Sequence, residues 1–207
     1  TVRRDGSSKF GSENKYGYFP SGSLAWRISN EAFMENITVV HDMKLRLGYG
    51  MVGNTPDQSF LYTSSMTSFN SPLGTAYRVT QNINPFLKWE STAMSNIGLD
   101  LGLFEGRIYL VAEAYLKKTE NMLLQITLPH YLGGPNNWQD IAAPTVNIGK
   151  MQNKGIELTL TTHNIDRKKF KWQTNITFTL NRNEIVALAD SNDAITRGLY
   201  WYTEFQT

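Results

Sequence analysis

The most informative feature of this chain is a repeated alternation of apolar and polar residues, which is typical of β-strands whose two faces meet different surroundings. Between Phe170 and Asn181 the even positions are apolar apart from Thr174, and the odd positions are all polar. The pattern predicts about eight strands. They are one ending near Arg4, then Ser23–Ser29, Met43–Met51, Trp89–Leu103, Ile108–Ile126, Asn147–Thr162, Phe170–Val186, and one starting near Tyr200.

Two architectures have strands of this kind. In a soluble β-sandwich the apolar face covers a core and the polar face meets water. In a transmembrane antiparallel β-barrel the apolar face meets lipid and the polar face lines the lumen. Several predicted strands reach the length of about 9–11 residues that a tilted bilayer crossing needs. Charged residues such as Asp100 and Glu113 fall in mid-strand. Both observations favour the barrel.

The connections between the predicted strands alternate between short and long. The short ones are Phe104–Arg107 and Asn164–Lys169, and the long ones are Asn54–Pro85, Pro129–Asn147 and a segment beginning near Asp190. Outer-membrane barrels have short periplasmic turns and long outer loops. A compact soluble domain rarely contains irregular loops of that length. We therefore predict that the long segments are outer loops, and that Ser29–Met34 forms a short helix on the periplasmic side.

Composition removes several function classes. The chain has 207 residues, a net charge of +2 and no cysteine, so neither a nucleic-acid partner nor thiol chemistry is indicated. No apolar run approaches the ~20 residues of a membrane-spanning helix. The three histidines lack ligand-like spacing, and no catalytic triad or phosphate-binding glycine loop is present in the sequence. We therefore predict a protein that is not an enzyme and that needs no metal or cofactor.

Several short strings occur in a characteristic order along nearly the whole chain. They are Arg3–Gly11, Tyr18–Ser21, Ala25–Ile28, Lys44–Arg46, Gly48–Gly50, Gly53–Asn54, Asn84–Glu90, Asn96–Asp100, Asn147–Gly149 and Asn153–Leu158. In order and spacing these strings resemble the C-terminal barrel region of the SusC/RagA family of TonB-linked outer-membrane proteins of Bacteroidetes.

The resemblance implies a function beyond what the strand pattern indicates. Such proteins are 22-stranded barrels with an N-terminal plug, and residues 1–207 would be a partial C-terminal β-barrel domain without the plug and the TonB box. The implied activity is TonB-dependent import of glycan oligosaccharides or peptides across the outer membrane. The implied partners are a SusD-like surface lipoprotein, TonB with ExbB and ExbD, and outer-membrane lipid. A soluble carbohydrate-binding β-sandwich and a passive porin remain the alternatives.

Two groups of residues are candidates for function. Aromatic rings stack on apolar faces of sugars and on peptide side chains, so aromatic residues in predicted outer loops are candidate ligand or lid contacts. They are Tyr131, Trp138, Tyr200, Trp201 and Tyr202. Charged residues on the polar sides of strands are candidate lumen-facing groups, which we expect to pair with the plug or with each other because unpaired buried charges are costly. They are Lys44, Arg46, Asp100, Glu113 and Glu157.

Two tryptophans fall near the ends of predicted strands, where barrels have belts of aromatic side chains. We expect Trp89 in the outer belt and Trp172 in the inner belt.

Overall fold

Strands account for most of the described chain. A computed structural model describes residues 1–81, 83–126 and 144–188, and the backbone alone of residues 195–199 and 202–206. The strands are β1 (Val2–Gly6), β2 (Tyr16–Arg27), β3 (Val40–Asn54), β4 (Ser65–Ser71), β5 (Gly74–Gln81), β6 (Glu90–Leu103), β7 (Ile108–Glu120), β8 (Leu123–Gln125), β9 (Thr145–Asn147), β10 (Lys150–Arg167), β11 (Phe170–Ala187), β12 (Ile195–Leu199) and β13 (Tyr202–Gln206).

Seven of these strands form one continuous sheet. Its order is β1-β2-β3-β6-β7-β10-β11, and all neighbours are antiparallel. The remaining strands form three hairpin-like pairs, β4-β5, β8-β9 and β12-β13. Each strand of the large sheet pairs with the next one of that sheet along the chain, which is the connectivity of an up-and-down barrel wall. The predicted all-β, antiparallel fold class is confirmed.

The register of the large sheet separates apolar from polar side chains row by row. One row across six strands consists of Leu24, Leu47, Ile97, Ala114, Ile156 and Leu180. The adjacent row consists of Ala25, Arg46, Gly98, Glu113, Glu157 and Thr179. Because successive side chains of a strand point to opposite faces, the sheet has an apolar face, which contains the first row, and a polar face, which contains the second.

No protein layer covers the apolar face in the described residues. Leu24 is 65% exposed, Ile97 48% and Leu180 58%. In a β-sandwich this face would pack against a second sheet about 10 Å away. The buried hydrophobic residues of the described chain are instead Phe10, Phe19, Leu61 and Leu87. The sandwich alternative is therefore wrong for this fold.

The two ends of the large sheet differ in their connections. At one end, which we call the turn end, the connecting residues are 28–39, 104–107 and 168–169; at the other, the loop end, they are 7–15, 55–89 and 121–149. Two turn-end connections are shorter than every loop-end connection, in agreement with the predicted alternation, whereas the turn-end connection 28–39 is longer than the loop-end connection 7–15. None of the helices in the described part of the chain has the length and apolarity needed to cross a bilayer.

Several predicted boundaries were wrong, for local reasons. The second strand begins at Tyr16 and not at Ser23, because Pro20 and Gly22 interrupt the hydrophobic pattern without ending the strand. The strand from Ile108 stops at Glu120, because the next residue, Asn121, takes a left-handed φ of 56°. The strand predicted from Asn147 begins at Lys150, after Gly149 at φ 93°.

The remaining differences concern the connections. The predicted loop Asn54–Pro85 contains the hairpin β4-β5, and the predicted turn Asn164–Lys169 shortens to residues 168–169 because β10 continues through a bulge to Arg167. The short helix predicted at Ser29–Met34 is two 3-10 helices, Ile28–Asn30 and Ala32–Met34. In place of one strand near Tyr200 there are two short strands, β12 and β13.

Candidate functional site

An ion pair lies at the middle of the polar face. The Arg46 guanidinium donates to both carboxylate oxygens of Asp100, with Nε at 3.2 and 3.1 Å and Nη2 at 2.9 Å. The Asp100 side chain is 13% exposed and that of Arg46 is 31% exposed. A two-point contact of this kind fixes the orientation of both groups as well as neutralising them.

The same guanidinium extends toward a second carboxylate. Nη2 of Arg46 lies 3.7 Å from Oε2 of Glu113, and Nδ2 of Asn96 donates to the other oxygen of Glu113 at 3.2 Å. Three neighbouring strands, β3, β6 and β7, thus contribute to one hydrogen-bonded group. We refer to Arg46, Asn96, Asp100 and Glu113 as the polar-face cluster.

Glycines on the polar face make room for the large polar side chains opposite them. A Cβ on Gly98 would lie 2.8 Å from Nη2 of Arg46, and a Cβ on Gly155 would lie 2.6 Å from the Tyr115 hydroxyl. Gly48 stands in the same relation to Asn96, whose amide would overlap a Cβ there. In each case the glycine and the large residue are direct cross-strand partners, so the large side chain folds across its neighbour's backbone.

Two of the five candidate charges stand apart from this cluster. Glu157 is directly opposite Glu113, is exposed, and forms no hydrogen bond or ion pair among the described residues. Lys44 is directly opposite Asp100 but is likewise without a salt bridge in the described chain, since Asp100 is taken by Arg46. The structure therefore brings Arg46, Asp100 and Glu113 together. Lys44 and Glu157 have no ion-pair partner among the described residues.

A groove of about 640 Å³ runs over the sheet beside this cluster. Its lining includes Arg46, Gly48, Met94, Asn96 and Lys117, together with Gly22 and Gly50. Ala25, Val52 and Thr92 also line it, so the lining mixes small, apolar and polar groups. A groove lined in this way can hold a polypeptide segment against the sheet.

The connections at the loop end pack together into a small core. Phe10, Leu61 and Leu87 form it, with Trp89 and Leu123 packed against them. Leu87 is fully buried, and the Trp89 ring lies 5.0 Å from Phe10 and 5.5 Å from Phe19. These five residues belong to the three loop-end connections, and we refer to them as the loop cluster: Phe10, Leu61, Leu87, Trp89 and Leu123. The partly buried Trp89 ring packs against this core, and its expected place in an outer aromatic belt stays a prediction.

Polar contacts tie the same connections together. Lys9 donates from Nζ to the carbonyl of Pro56 at 2.6 Å, and Asn84 donates to the carbonyl of Thr145 at 2.7 Å. Asn147 accepts from the Lys88 amide at 2.8 Å and donates to the Lys88 carbonyl at 2.7 Å. The described parts of the three loop-end connections therefore form one packed unit.

A smaller cleft of about 280 Å³ opens beside this unit. Asn54, Asp57, Glu90 and Gln125 contribute to its lining. The Glu90 carboxylate accepts from the Leu123 amide at 3.1 Å and from Asn54 at 3.5 Å. The Glu90 carboxylate thus joins the start of β6 to Leu123 and to the end of β3 through these hydrogen bonds.

The structure does not describe the side chains of the five aromatic candidates. Tyr131, Trp138, Tyr200 and Trp201 lie outside the described residues, and Tyr202 begins β13 without a described side chain. Among the described residues, no group of three or more His, Asp or Glu side chains is placed to hold a metal ion.

Sequence reasoning missed the residues that join the loops. Lys9, Asn84 and Asn147 show no periodicity, and their partners are backbone atoms 47 to 61 residues away. The one signal was that Asn84 and Asn147 begin two of the strings that carry the resemblance to the SusC/RagA family. The polar-face glycines were visible as alternate small residues, but their pairing with Arg46, Asn96 and Tyr115 depends on register.

Comparison with known proteins identifies the family to which this sheet and these connections belong. Residues 1–202 match the family described as TonB dependent receptor-like, beta-barrel. TonB-dependent receptor SusC of Bacteroides thetaiotaomicron is 36% identical over 202 residues, covering 94% of this chain and 20% of SusC. TonB-dependent receptor P3 of Formosa agariphila is 34% identical over 197 residues, covering 93% of this chain and 19% of that receptor. The chain spans about a fifth of the length of these relatives.

Solved structures give the same result for the fold. The RagAB peptide importer in its "open-open" state matches with a TM-score of 0.79 and 27% identity. The same importer in its "closed-closed" state matches with a TM-score of 0.78. In both cases the similarity covers 96% of this chain and 21% of the importer chain. The seven-stranded sheet and its loop unit therefore correspond to part of a much larger barrel.

Proposed function

Because this chain belongs to the TonB-dependent receptor-like β-barrel family, we propose that it forms part of the wall and outer loops of an outer-membrane nutrient importer. The observation that carries the proposal is the large sheet, which has an uncovered apolar face on one side and paired charges on the other. Lipid can cover the first face, and the barrel lumen can accommodate the second. On this view the loop end faces outside the cell and the turn end faces the periplasm.

Import in this proposal depends on partners that act through the remainder of the protein. A plug fills the lumen, TonB with ExbB and ExbD supplies energy through it, and a SusD-like surface lipoprotein closes over the loops. SusC and the RagAB importer support this assignment as relatives. The substrate class is glycan oligosaccharides or peptides. The chain's own contribution is scaffold and contacts, without catalysis.

The lumen-facing charges have a specific role in this proposal. Arg46 pairs with Asp100 and also lies 3.7 Å from Glu113, so these three groups together keep one net negative charge. Glu157 and Lys44 face the same side without a partner in the described chain. Like charges directly opposite in a sheet are unfavourable, so the Glu113–Glu157 pair favours a cation supplied from the lumen. We assign that cation to the plug.

A passive porin is the competing function. It would use the same wall without a plug, so growth separates the two. We expect deletion of the full-length gene to abolish growth on the imported oligosaccharide or peptide as sole nutrient. Deletion of tonB in the same strain would have the same effect. Growth that survives loss of TonB would favour the porin.

The lid is tested separately. We expect the full-length receptor, extracted in mild detergent, to copurify with a surface lipoprotein. A receptor that purifies without a lipoprotein but still imports in a TonB-dependent manner would contradict the lipoprotein partner. The proposal of TonB-dependent transport would still stand.

A further inference from the structure

Two cations face each other at the edge of the apolar face. Lys154 on β10 and Arg182 on β11 are direct cross-strand partners, and the apolar pair Ile156 and Leu180 is the next pair on the same face. Both cations are exposed and lie on the loop-end side of that apolar pair. Like charges directly opposite on neighbouring strands destabilise a sheet. An anion lying between them would remove that repulsion.

A third cation adjoins this pair. Lys118 on β7 is opposite Gln152, which places it diagonally next to Lys154 at about 7 Å between Cβ atoms. Among the described residues, none of Lys118, Lys154 and Arg182 takes part in a salt bridge. We refer to these three residues as the basic triad.

Two carboxylates share this face with the triad and neutralise it only in part. Glu184 is opposite Gln152 and forms no ion pair among the described residues. Glu120 is engaged with Lys150 at 4.0 Å. Three positive charges therefore meet one available negative charge.

The triad lies at a defined height on the sheet. From Trp172 to Arg182, β11 rises about 33 Å along its own axis, which is about 25 Å along the membrane normal at a tilt of ~40°. From Ile108 to Lys118 the rise is the same. The apolar band of an outer-membrane barrel is about 25 Å tall. If the apolar band begins at Trp172, where the sequence predicts the inner aromatic belt, the triad lies at the boundary between the acyl chains and the outer headgroups.

A similar arrangement recurs on the first hairpin of the sheet. Arg4 is opposite Tyr18, and its guanidinium lies over the Tyr16 ring at 4.0 Å and within 5.7 Å of the Tyr18 ring. Arg3, on the other face, pairs with Asp5 at 2.8 Å, but Arg4 has no carboxylate partner in the described chain. The outward-pointing cation at the loop end is again the one without an acid.

We propose that Lys118, Lys154 and Arg182 form a binding site for the phosphate groups of an anionic lipid of the outer leaflet. Arginine binds phosphate through two parallel hydrogen bonds, and lysine attracts it as a point charge. The aliphatic stems of all three side chains can lie along the apolar face while their heads reach the phosphate. This proposal rests on the proposed function, because it requires that lipid covers the apolar face.

The test is a titration of the full-length receptor in detergent, followed by native mass spectrometry. The probes are phosphorylated lipid A and the same lipid A after removal of its phosphates. We expect the native receptor to retain the phosphorylated form preferentially. Since each basic residue near an anionic membrane surface contributes on the order of a 5-fold gain in affinity, we expect K118Q/K154Q/R182Q to weaken binding at least about tenfold, with little effect on the dephosphorylated lipid.

The matched control removes the same charge from the turn end. Arg167, Lys168 and Lys169 lie at the turn that joins β10 to β11. We expect R167Q/K168Q/K169Q to bind lipid A as the native receptor does. Equal loss in both triple variants would show an effect of net charge alone and would overturn the site. Unchanged binding in K118Q/K154Q/R182Q would do the same.

Two further measurements identify the ligand. Inorganic phosphate at millimolar concentration should not displace the lipid, because it lacks the acyl chains that contact the apolar face. Stoichiometric displacement would show a free-phosphate site and overturn the lipid assignment. A receptor that needs no detergent to stay in solution would overturn both this proposal and the proposed function. A receptor that inserts in membranes without preference for phosphorylated lipid would overturn this proposal alone.

Discussion

Arg46 can reach Asp100 because Gly98, which lies opposite Arg46 on the neighbouring strand, has no side chain. A Cβ on Gly98 would lie 2.8 and 2.9 Å from two atoms of the Arg46 guanidinium, which is held by three hydrogen bonds and cannot move without losing them. We expect G98A to lower the free energy of unfolding by about 1–3 kcal/mol, the usual cost of inserting an atom into a well-packed site.

The measurement for G98A is urea unfolding of the refolded barrel in detergent micelles. G22A is the matched control, because Gly22 is also in a strand and nothing lies within 4 Å of a Cβ there. An equal loss of stability in both variants would show that alanine is unfavourable in these strands generally, and that the Arg46 contact is not the cause.

The Arg46–Asp100 pair should contribute more than a surface ion pair does. Its Asp100 side chain is 13% exposed, whereas in the Lys171–Asp166 pair the two side chains are 76% and 67% exposed. Exposed pairs contribute about 0–1 kcal/mol. We expect a double-mutant cycle with R46Q and D100N to give about 1–2 kcal/mol of coupling, within the range found for residues in contact. A cycle with K171Q and D166N should give less than about 0.5 kcal/mol. The reverse order would contradict a stabilising role for the polar-face cluster.

At the scale of elements, the described parts of the three loop-end connections form one unit because their side chains share a core. Leu87 is fully buried within the loop cluster, while Leu73 at the tip of the β4-β5 hairpin is fully exposed. We expect L87A to cost about 2–5 kcal/mol of local stability. Since the core joins all three connections, its loss should loosen them together.

Limited proteolysis of the folded receptor measures this loosening. L87A should speed cleavage in residues 55–89 and also in the connection at residues 7–15, whereas L73A should leave both rates unchanged. Faster cleavage confined to residues 55–89 would show that the connections are independent loops.

The strands show which features of the fold could be predicted from the sequence. Six of the seven strands of the large sheet follow from alternation, because each has one apolar and one polar face; β1, Val2–Gly6, shows no such alternation. The ends of the strands did not follow, since Pro20 lies inside a strand and Asn121 ends one through a left-handed φ. Charges such as Arg46 and Asp100 were identifiable as polar-face residues. Their pairing was not, because it requires the register between strands 54 residues apart in sequence.

At the scale of the whole molecule, the proposed function depends on the apolar face. Its side chains are exposed in the described part of the chain, and the chain belongs to a family of β-barrels. If lipid covers it, adjacent positions on one strand must report opposite environments. On β11, Ile176 and Phe178 belong to the apolar face, while Thr177 and Thr179 belong to the polar face.

Single-cysteine labelling tests this assignment most directly, because the chain contains no cysteine. An environment-sensitive fluorophore is attached at I176C, T177C, F178C or T179C in the full-length receptor in membranes, and quenching by lipids that carry a nitroxide in the acyl chain is measured. We expect strong quenching at positions 176 and 178 and weak quenching at 177 and 179. Equal quenching at all four positions, or quenching at none, would contradict the placement of this sheet in the wall of a membrane barrel.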